Sequence, residues 1–359
     1  MASSQIPSIR ISVIIPARNE EENIGELLKA LQEQTYPENL FEIIVVDDHS
    51  TDNTAAIVSQ FTGVKLITLK DDTINSYKKK AIEKGIAAAS GELILTTDAD
   101  CVPLPGWLQT IASFKEKTNA GFIVAPVVFH LPSPVIASKA KQREGLGLPA
   151  GEAGVRLFQA MDFMVLQGIT AASVYKKMHS MCNGANLAYE RQLFYDVDSF
   201  AGIDHIASGD DMLLMHKIAK KFPDRIYYLK SAAAIVSTLP MPTWKQFFNQ
   251  RIRWASKATH YEDKRIFWVL LLVYLFNLSF LVMAIAGFWN SYFWLLFLIA
   301  WILKTAVELP FFYSISKFFN KQWAVKYFFF FQPLHIFYTI ISGLLGQFGK
   351  YEWKGRKVK

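Results

Sequence analysis

The chain of 359 residues is 52% apolar and 14% aromatic and carries a net charge of +7, with an isoelectric point near 9.1 and a mean hydropathy of +0.19. The basic surplus gathers beside apolar segments (Lys257, Lys264, Arg265) and in the tail (Lys350, Lys354, Arg356, Lys357, Lys359), which suits anionic lipid headgroups and speaks against nucleic acid as a partner. Cys101 and Cys182 form no CxxC pair, so a disulfide framework is not expected and a reducing compartment fits.

Residues 1–265 have mixed charge, whereas 266–348 are almost uncharged. MASSQIPSIR lacks the apolar stretch of a signal peptide, so the first part is expected on the cytoplasmic face. Strand and helix alternate there. IRISVIIP (9–16) is short and β-branched, a buried strand. A helix over 21–34 follows, with Asn19 and Glu22 placed as a capping pair. Strands are predicted over 42–48, 64–69, 91–100 and 121–129, and helices over 51–61 and 78–88. This order argues for a largely parallel α/β sheet with helices on both faces. Residues 131–154, rich in Pro, Gly and Lys, read as a loop, and 155–172 and 209–222 as helices. Residues 242–260 are amphipathic, as in a helix at a membrane surface. Segments 266–288, 292–312 and 323–346 are each long enough to span a bilayer. Lys304 and Glu308, four apart on one helical face, are expected to pair. The expected organisation is a catalytic domain (1–242), an interface helix (243–265), a membrane domain with three helices (266–348) and a basic tail (349–359).

Ligands of an open α/β sheet bind beyond the carboxyl ends of its strands. Asp47 and Asp48 end the second strand, and Asp98 and Asp100 the fourth. In extended backbone, residues i and i+2 point the same way, so Asp98 and Asp100 can face one hard divalent cation bridging a diphosphate. The plain alternative is solvated turn acids. Asp210-Asp211 opens a helix, where acids cap; one of them near a reacting hydroxyl can also act as general base. Lys78 starts a helix against the dipole, which a nearby phosphate would explain, while Lys79 and Lys80 read as a solvated face. MCNGANLAYER sets Gly184 and Ala185 between Asn183 and Asn186: a tight turn, or a wall of an acceptor pocket.

Together these stretches resemble family 2 glycosyltransferases of the GT-A fold, in particular membrane-bound members. SVIIPARNEEENI looks like the family's first strand and loop, and VVDDHSTDNT its nucleotide-binding turn. TDAD is similar to its DxD metal motif, and YKKKAIEKG resembles GKxxALNxG with Tyr77 in place of glycine. CNGANLAY resembles its acceptor-side segment, GDD its Glu-Asp pair, and QRIRW its QxxRW. The likeness covers roughly residues 9–261. It implies a UDP-type nucleotide-sugar donor held by Pro16, Arg18, Glu20, Asp47, Asp48, Lys78 and Asp98, and Mg2+ or Mn2+ on Asp98 and Asp100. It further implies catalysis by Asp211 with Asp210, and Asn183, Gly184, Asn186, Gln250, Arg253 and Trp254 around the acceptor and diphosphate. On a helix Gln250, Arg253 and Trp254 share a face, leaving Phe247 and Phe248 for lipid.

Two or three spans make a poor polymer channel, so a lipid or lipid-linked acceptor at the cell membrane is expected. A small polysaccharide synthase with a partner subunit is the alternative. A dinucleotide oxidoreductase would need a Gly-rich turn after the first strand, and IIPARNEEEN has none. A catalytically silent nucleotide-sugar-binding scaffold is the remaining rival.

Overall fold

Alternating β-branched and aliphatic residues build the centre of the sheet. In the computed structural model, which describes residues 7–70, 76–130, 150–206, 208–257, 261, 263–348, 351–353 and 356–358, Ile11–Ala17 forms β1, buried along nearly its whole length. It pairs in parallel with β2 (Phe41–Asp47), and β2 with β3 (Val64–Thr68). β4 (Leu93–Thr96) lies parallel on the other side of β1. Strands buried on both faces read as continuous aliphatic runs, and Ile14, Val45 and Leu95 are all fully buried.

Beyond β4 the sheet is mixed rather than parallel. β5 (Val102–Pro103), β6 (Phe122–Val124) and β7 (Val127–Phe129) come next in the chain. Then come β8 (Leu187–Glu190), β9 (Ile226–Tyr228) and β10 (Val236–Thr238). The large sheet has the order β3-β2-β1-β4-β8-β6-β9, and β5, β10 and β7 form a small one. β8 runs antiparallel to both β4 and β6. The single strand expected over 121–129 is split at Pro126. Proline has no N–H for the ladder, and its carbonyl accepts instead from Val236 N at 3.1 Å.

Helices α1 (Ile24–Gln32), α2 (Thr54–Val58), α3 (Tyr77–Ala87) and α4 (Trp107–Lys117) belong to the same unit. α1 buries Ile24, Leu27, Leu28 and Leu31, the i, i+3, i+4, i+7 stripe of an amphipathic helix. The expected Asn19–Glu22 capping pair is not formed. α1 starts only at Ile24, and Asn19 sits in the left-handed region at φ 50° with its side chain accepting from Thr51 N at 2.8 Å. α2 begins later than expected because Asp52 takes the Thr54 N–H at 3.0 Å. α4 was not foreseen.

Two compact units result: residues 1–128 with 169–239, and 129–168 with 240–359. The first unit is thus discontinuous in sequence, residues 129–168 belonging to the second. The expected loop over 131–154 lies, as far as residue 149, outside the described residues. The second unit holds most of α5 (Ala150–Tyr175), and all of α8 (Trp244–Ala255), α9 (Lys264–Ala286), α10 (Tyr292–Phe318) and α11 (Phe328–Phe348). The first unit adds α6 (Arg191–Asp196) and α7 (Met212–Lys221). Among the described residues four helical stretches are long and apolar enough to cross a membrane: Ala153–Tyr175, earlier in the chain, and then Lys264–Ala286, Tyr292–Phe318 and Gln322–Gln347, where three were expected. The first differs in kind, with 61% of its most apolar window buried inside the protein against 11%, 17% and 33% for the others. Lys304 meets Glu308 at 2.7 Å as expected, and also Gln332 at 2.6 Å.

α3 lies close on β1, and a Cβ at Gly85 would fall 2.4 Å from Ile14 Cγ2. Gly85→Ala is therefore expected to destabilise the chain by about 1–3 kcal/mol through overpacking, read as a lower melting temperature in detergent.

Candidate active site

The site grows from the carboxyl ends of β1, β2 and β4. At the first two, paired loops clasp one another. Ala17 O accepts from Asp48 N at 2.8 Å, and Arg18 donates to Asp48 O at 2.7 Å. Glu20 N donates to Thr54 Oγ1 at 2.8 Å. Pro16 is half-buried in β1 opposite Val46. Asp47 and Asp48 are 4% and 3% exposed. Asp47 Oδ1 is buried and meets no donor among the described residues, a state that costs free energy until a donor arrives. His49, at φ 54°, places its Nδ1 3.0 Å from Asp48 Oδ1; no reading of the sequence singled it out.

At the end of β4 the acids sit in a turn. β4 stops at Thr96, and Cys101 N bonds to Asp98 O at 3.1 Å. The extended-strand rule for Asp98 and Asp100 therefore does not apply, and they take different partners. Asp98 Oδ1 receives Lys78 Nζ at 2.7 Å, whereas Asp100 Oδ2 receives the Thr238 hydroxyl at 3.2 Å. Burial next to these acids pushes the Cys101 thiol well up, so it stays protonated and inert.

Lys78 draws the site together. Its Nζ is 3.2 Å from Asp210 Oδ2 as well as 2.7 Å from Asp98. Burial opposes its charge, but Asp210 and Asp98, with Asp211 further off, hold the ammonium well above the usual lysine range. Asp211 caps α7, accepting from Met212 N at 2.7 Å, and reaches Gly184 N at 3.0 Å. The turn lies close against this pair: a Cβ at Gly184 would be 3.3 Å from Asp210 Oδ2, a tight contact, and 3.4 Å from Lys78 Nζ, an ordinary one. Asn183 caps the same turn, accepting from Ala185 N at 3.0 Å. Lys78, Asp98, Gly184, Asp210 and Asp211 thus form one cluster. Three carboxylates against one ammonium leave it acidic. Among the described residues no three His, Cys, Asp or Glu converge to hold a metal unaided. The hard oxygens of Asp98 and Asp100, with about a third of the Asp98 side chain exposed (35%), do suit a hard cation that takes further oxygens from a ligand.

Several expectations need correction. Lys79 is not on a solvated face: it is 1% exposed, and its Nζ donates to the carbonyls of Ile206 and Ser208. Asn186 is fully buried. It accepts from Trp107 Nε1 at 2.9 Å and donates to Pro126 O and Ala234 O at 2.8 Å, so it joins chain segments and presents no atom to a ligand outside. Phe247 does not face lipid. It is fully buried in a cluster with Val155, Phe158 and Tyr338; seven residues before Trp254, it lies on nearly the same side of α8.

Gln250, Arg253 and Trp254 share α8, in the second unit. Between them sits Arg251, which sequence reasoning passed over. It is 4% exposed and bonds to Asp162 Oδ2 at 2.6 Å and Gln250 Oε1 at 3.0 Å. Its signal in the sequence was the lone acid of QAMDFMVL (159–166), an apolar helix stretch that needs a cation.

The sequence model described as Glycosyl transferase family 2 matches residues 12–194, more than half of the 359. The chain belongs to this family. As a family 2 glycosyltransferase it is similar to glycosyltransferase AglE of Haloferax volcanii, 27% identical over 68% of this chain and 71% of that one. It is likewise similar to the probable glycosyltransferase YdaM of Bacillus subtilis, 26% identical over 68% of this chain and 54% of that one; it spans only about half of that relative. Among solved structures, the mannosyltransferase PcManGT of Pyrobaculum calidifontis, in complex with GDP-Man and Mn2+, superposes with a TM-score of 0.53 at 17% identity, over 95% of this chain and 88% of that one. This likeness bears on the fold, which is GT-A.

Asn186→Ala in this glycosyltransferase is expected to lower stability by about 2 kcal/mol, since it takes the partner from the buried Trp107 Nε1 donor and from the Ala234 carbonyl, while Pro126 O keeps the Val236 N–H. Denaturant unfolding in detergent checks this. An acceptor-contacting Asn186 would instead raise the acceptor KM with stability unchanged.

Proposed function

We propose that the enzyme moves a sugar, with inversion, from a UDP-type nucleotide-diphosphate sugar to a lipid or lipid-linked acceptor at the cytoplasmic face of a membrane. The observation that carries this is the Lys78–Asp98–Asp210–Asp211 cluster at the carboxyl end of the sheet, beside the clasped loops of Asp48 and Arg18. The donorless Asp47 Oδ1 accepts from the nucleoside, with Pro16, Arg18, Glu20 and Asp48 shaping that pocket. Lys78, held cationic, meets a phosphate oxygen. Asp98 and Asp100 would hold Mg2+ or Mn2+, and such an ion would supply positive charge for the leaving diphosphate. Asp211 is fixed by two N–H donors, one on each oxygen, and the remaining lone pairs take the proton of the acceptor hydroxyl. That oxygen forms its bond to the anomeric carbon as the bond to the diphosphate breaks on the opposite face. Asp210 keeps Lys78 in place. Gln250 and Arg253 take the role that QxxRW implies at the diphosphate, and Trp254 that at the acceptor.

The long apolar helices support a membrane-embedded acceptor. The test is nucleoside diphosphate release from UDP- and GDP-sugars with Mn2+, with and without membrane lipid extract. Lipid-stimulated release from one donor is expected, and Asp211→Asn should lower kcat by about 10²–10⁴-fold in protein whose melting curve shows it folded. Absence of release from every donor would sink the reading in favour of a silent nucleotide-sugar-binding scaffold. A long polymer as product would replace the lipid acceptor with a polysaccharide chain.

A further inference from the structure

The second unit buries a polar constellation for which the fold gives no evident need. Asp162 of α5 accepts from Arg251 NH2 at 2.6 Å and from Tyr338 Oη at 2.5 Å, so both its oxygens are engaged. The side chains of Arg251 and Asp162 are 4% and 2% exposed. Taking two charges out of water costs more than their attraction returns unless every hydrogen bond is made, and well-packed apolar residues often do as well or better. Here Arg251 Nε is buried without an acceptor among the described residues, so the pair is not optimised for stability. What the guanidinium does reach is specific. NH1 donates to Gln250 Oε1 at 3.0 Å, and the planar group lies 4.2 Å from the centroid of Trp254 and 4.8 Å from that of Phe247. One arginine therefore fixes the side chains of two residues that the function proposed above uses, while Asp162 and Tyr338 fix the arginine.

We propose that Arg251 is a positioning residue for sugar transfer, anchored by Asp162 and Tyr338, that sets the orientation of the Gln250 amide and the Trp254 ring. This rests on the reading in which Gln250 and Trp254 serve transfer. A lysine keeps the charge for Asp162 but lacks the planar fork that bonds Gln250 while stacking on Trp254.

The test is a double-mutant cycle on the full chain in detergent. Its readout is single-turnover donor consumption with membrane lipid extract, which registers slow variants. Arg251→Lys and Arg251→Met are each made in the parent and in a Gln250→Ala/Trp254→Phe background. Arg251→Lys is expected to melt close to the parent yet transfer about tenfold more slowly or worse, and to lose no more than about twofold in the doubly substituted background, the non-additivity of residues that act through one another. Arg251→Met should follow the same pattern where it folds. Equal fold-losses in both backgrounds, or a loss no larger than the fall in folded protein, would overturn the proposal and leave Arg251 a structural residue. A Gln250→Ala/Trp254→Phe protein as fast as the parent would instead remove the reading of those two residues, and this proposal with it, whatever Arg251→Lys does.

Discussion

The catalytic unit depends on how a single ammonium is shared. Lys78 stands at the start of α3, where the helix dipole disfavours a cation, and it is tolerated there because Asp98 and Asp210 meet it at 2.7 and 3.2 Å. Those two acids lie more than a hundred residues apart in sequence, one after β4 and one before α7. Their shared partner draws the two segments together, and Gly184 lies close against that pair. Asp211, next along, receives its place from the Gly184 N–H. The geometry of the acids is thus set by charge neutralisation and by one backbone N–H, not by strand direction.

This explains what was legible in the sequence. The first two strands announce themselves because buried parallel strands are continuous aliphatic runs, as in VIIP and IIVV; β3, at the edge of the sheet, is part-exposed and alternates as VKLIT. The acids of the site stood out because Asp sits at strand ends and helix starts, where ligands bind. Hidden were the features made by contact between distant segments. β8 is four residues long and antiparallel, and nothing local in LAYE records its partners. Asn186 read as a possible ligand contact because a buried amide network looks, in sequence, like any polar turn. Lys79 and Phe247 misled for a related reason. A lysine in a basic run reads as solvated and a phenylalanine before a membrane span reads as lipid-facing, and both are buried by partners that periodicity does not name.

The second unit shows the same division. Length and composition identify its long apolar helices, but the polar residues inside them are understood only as sets: Lys304 with Glu308 and Gln332, and Asp162 with Arg251 and Tyr338. In each set the charges are opposite, as groups removed from water require.

Asp162 also constrains the order in which the protein can be made. Arg251 follows it by 89 residues and Tyr338 by 176, so the ribosome delivers this carboxylate long before either partner exists. In hydrocarbon an unpaired aspartate at the centre of a helix would cost about 2.5–3.5 kcal/mol on insertion scales. Until α8 and the final helix emerge, the Ala150–Tyr175 segment is therefore poorly suited to hydrocarbon, despite its apolar composition. Only with Arg251 and Tyr338 in place are both oxygens of this carboxylate engaged.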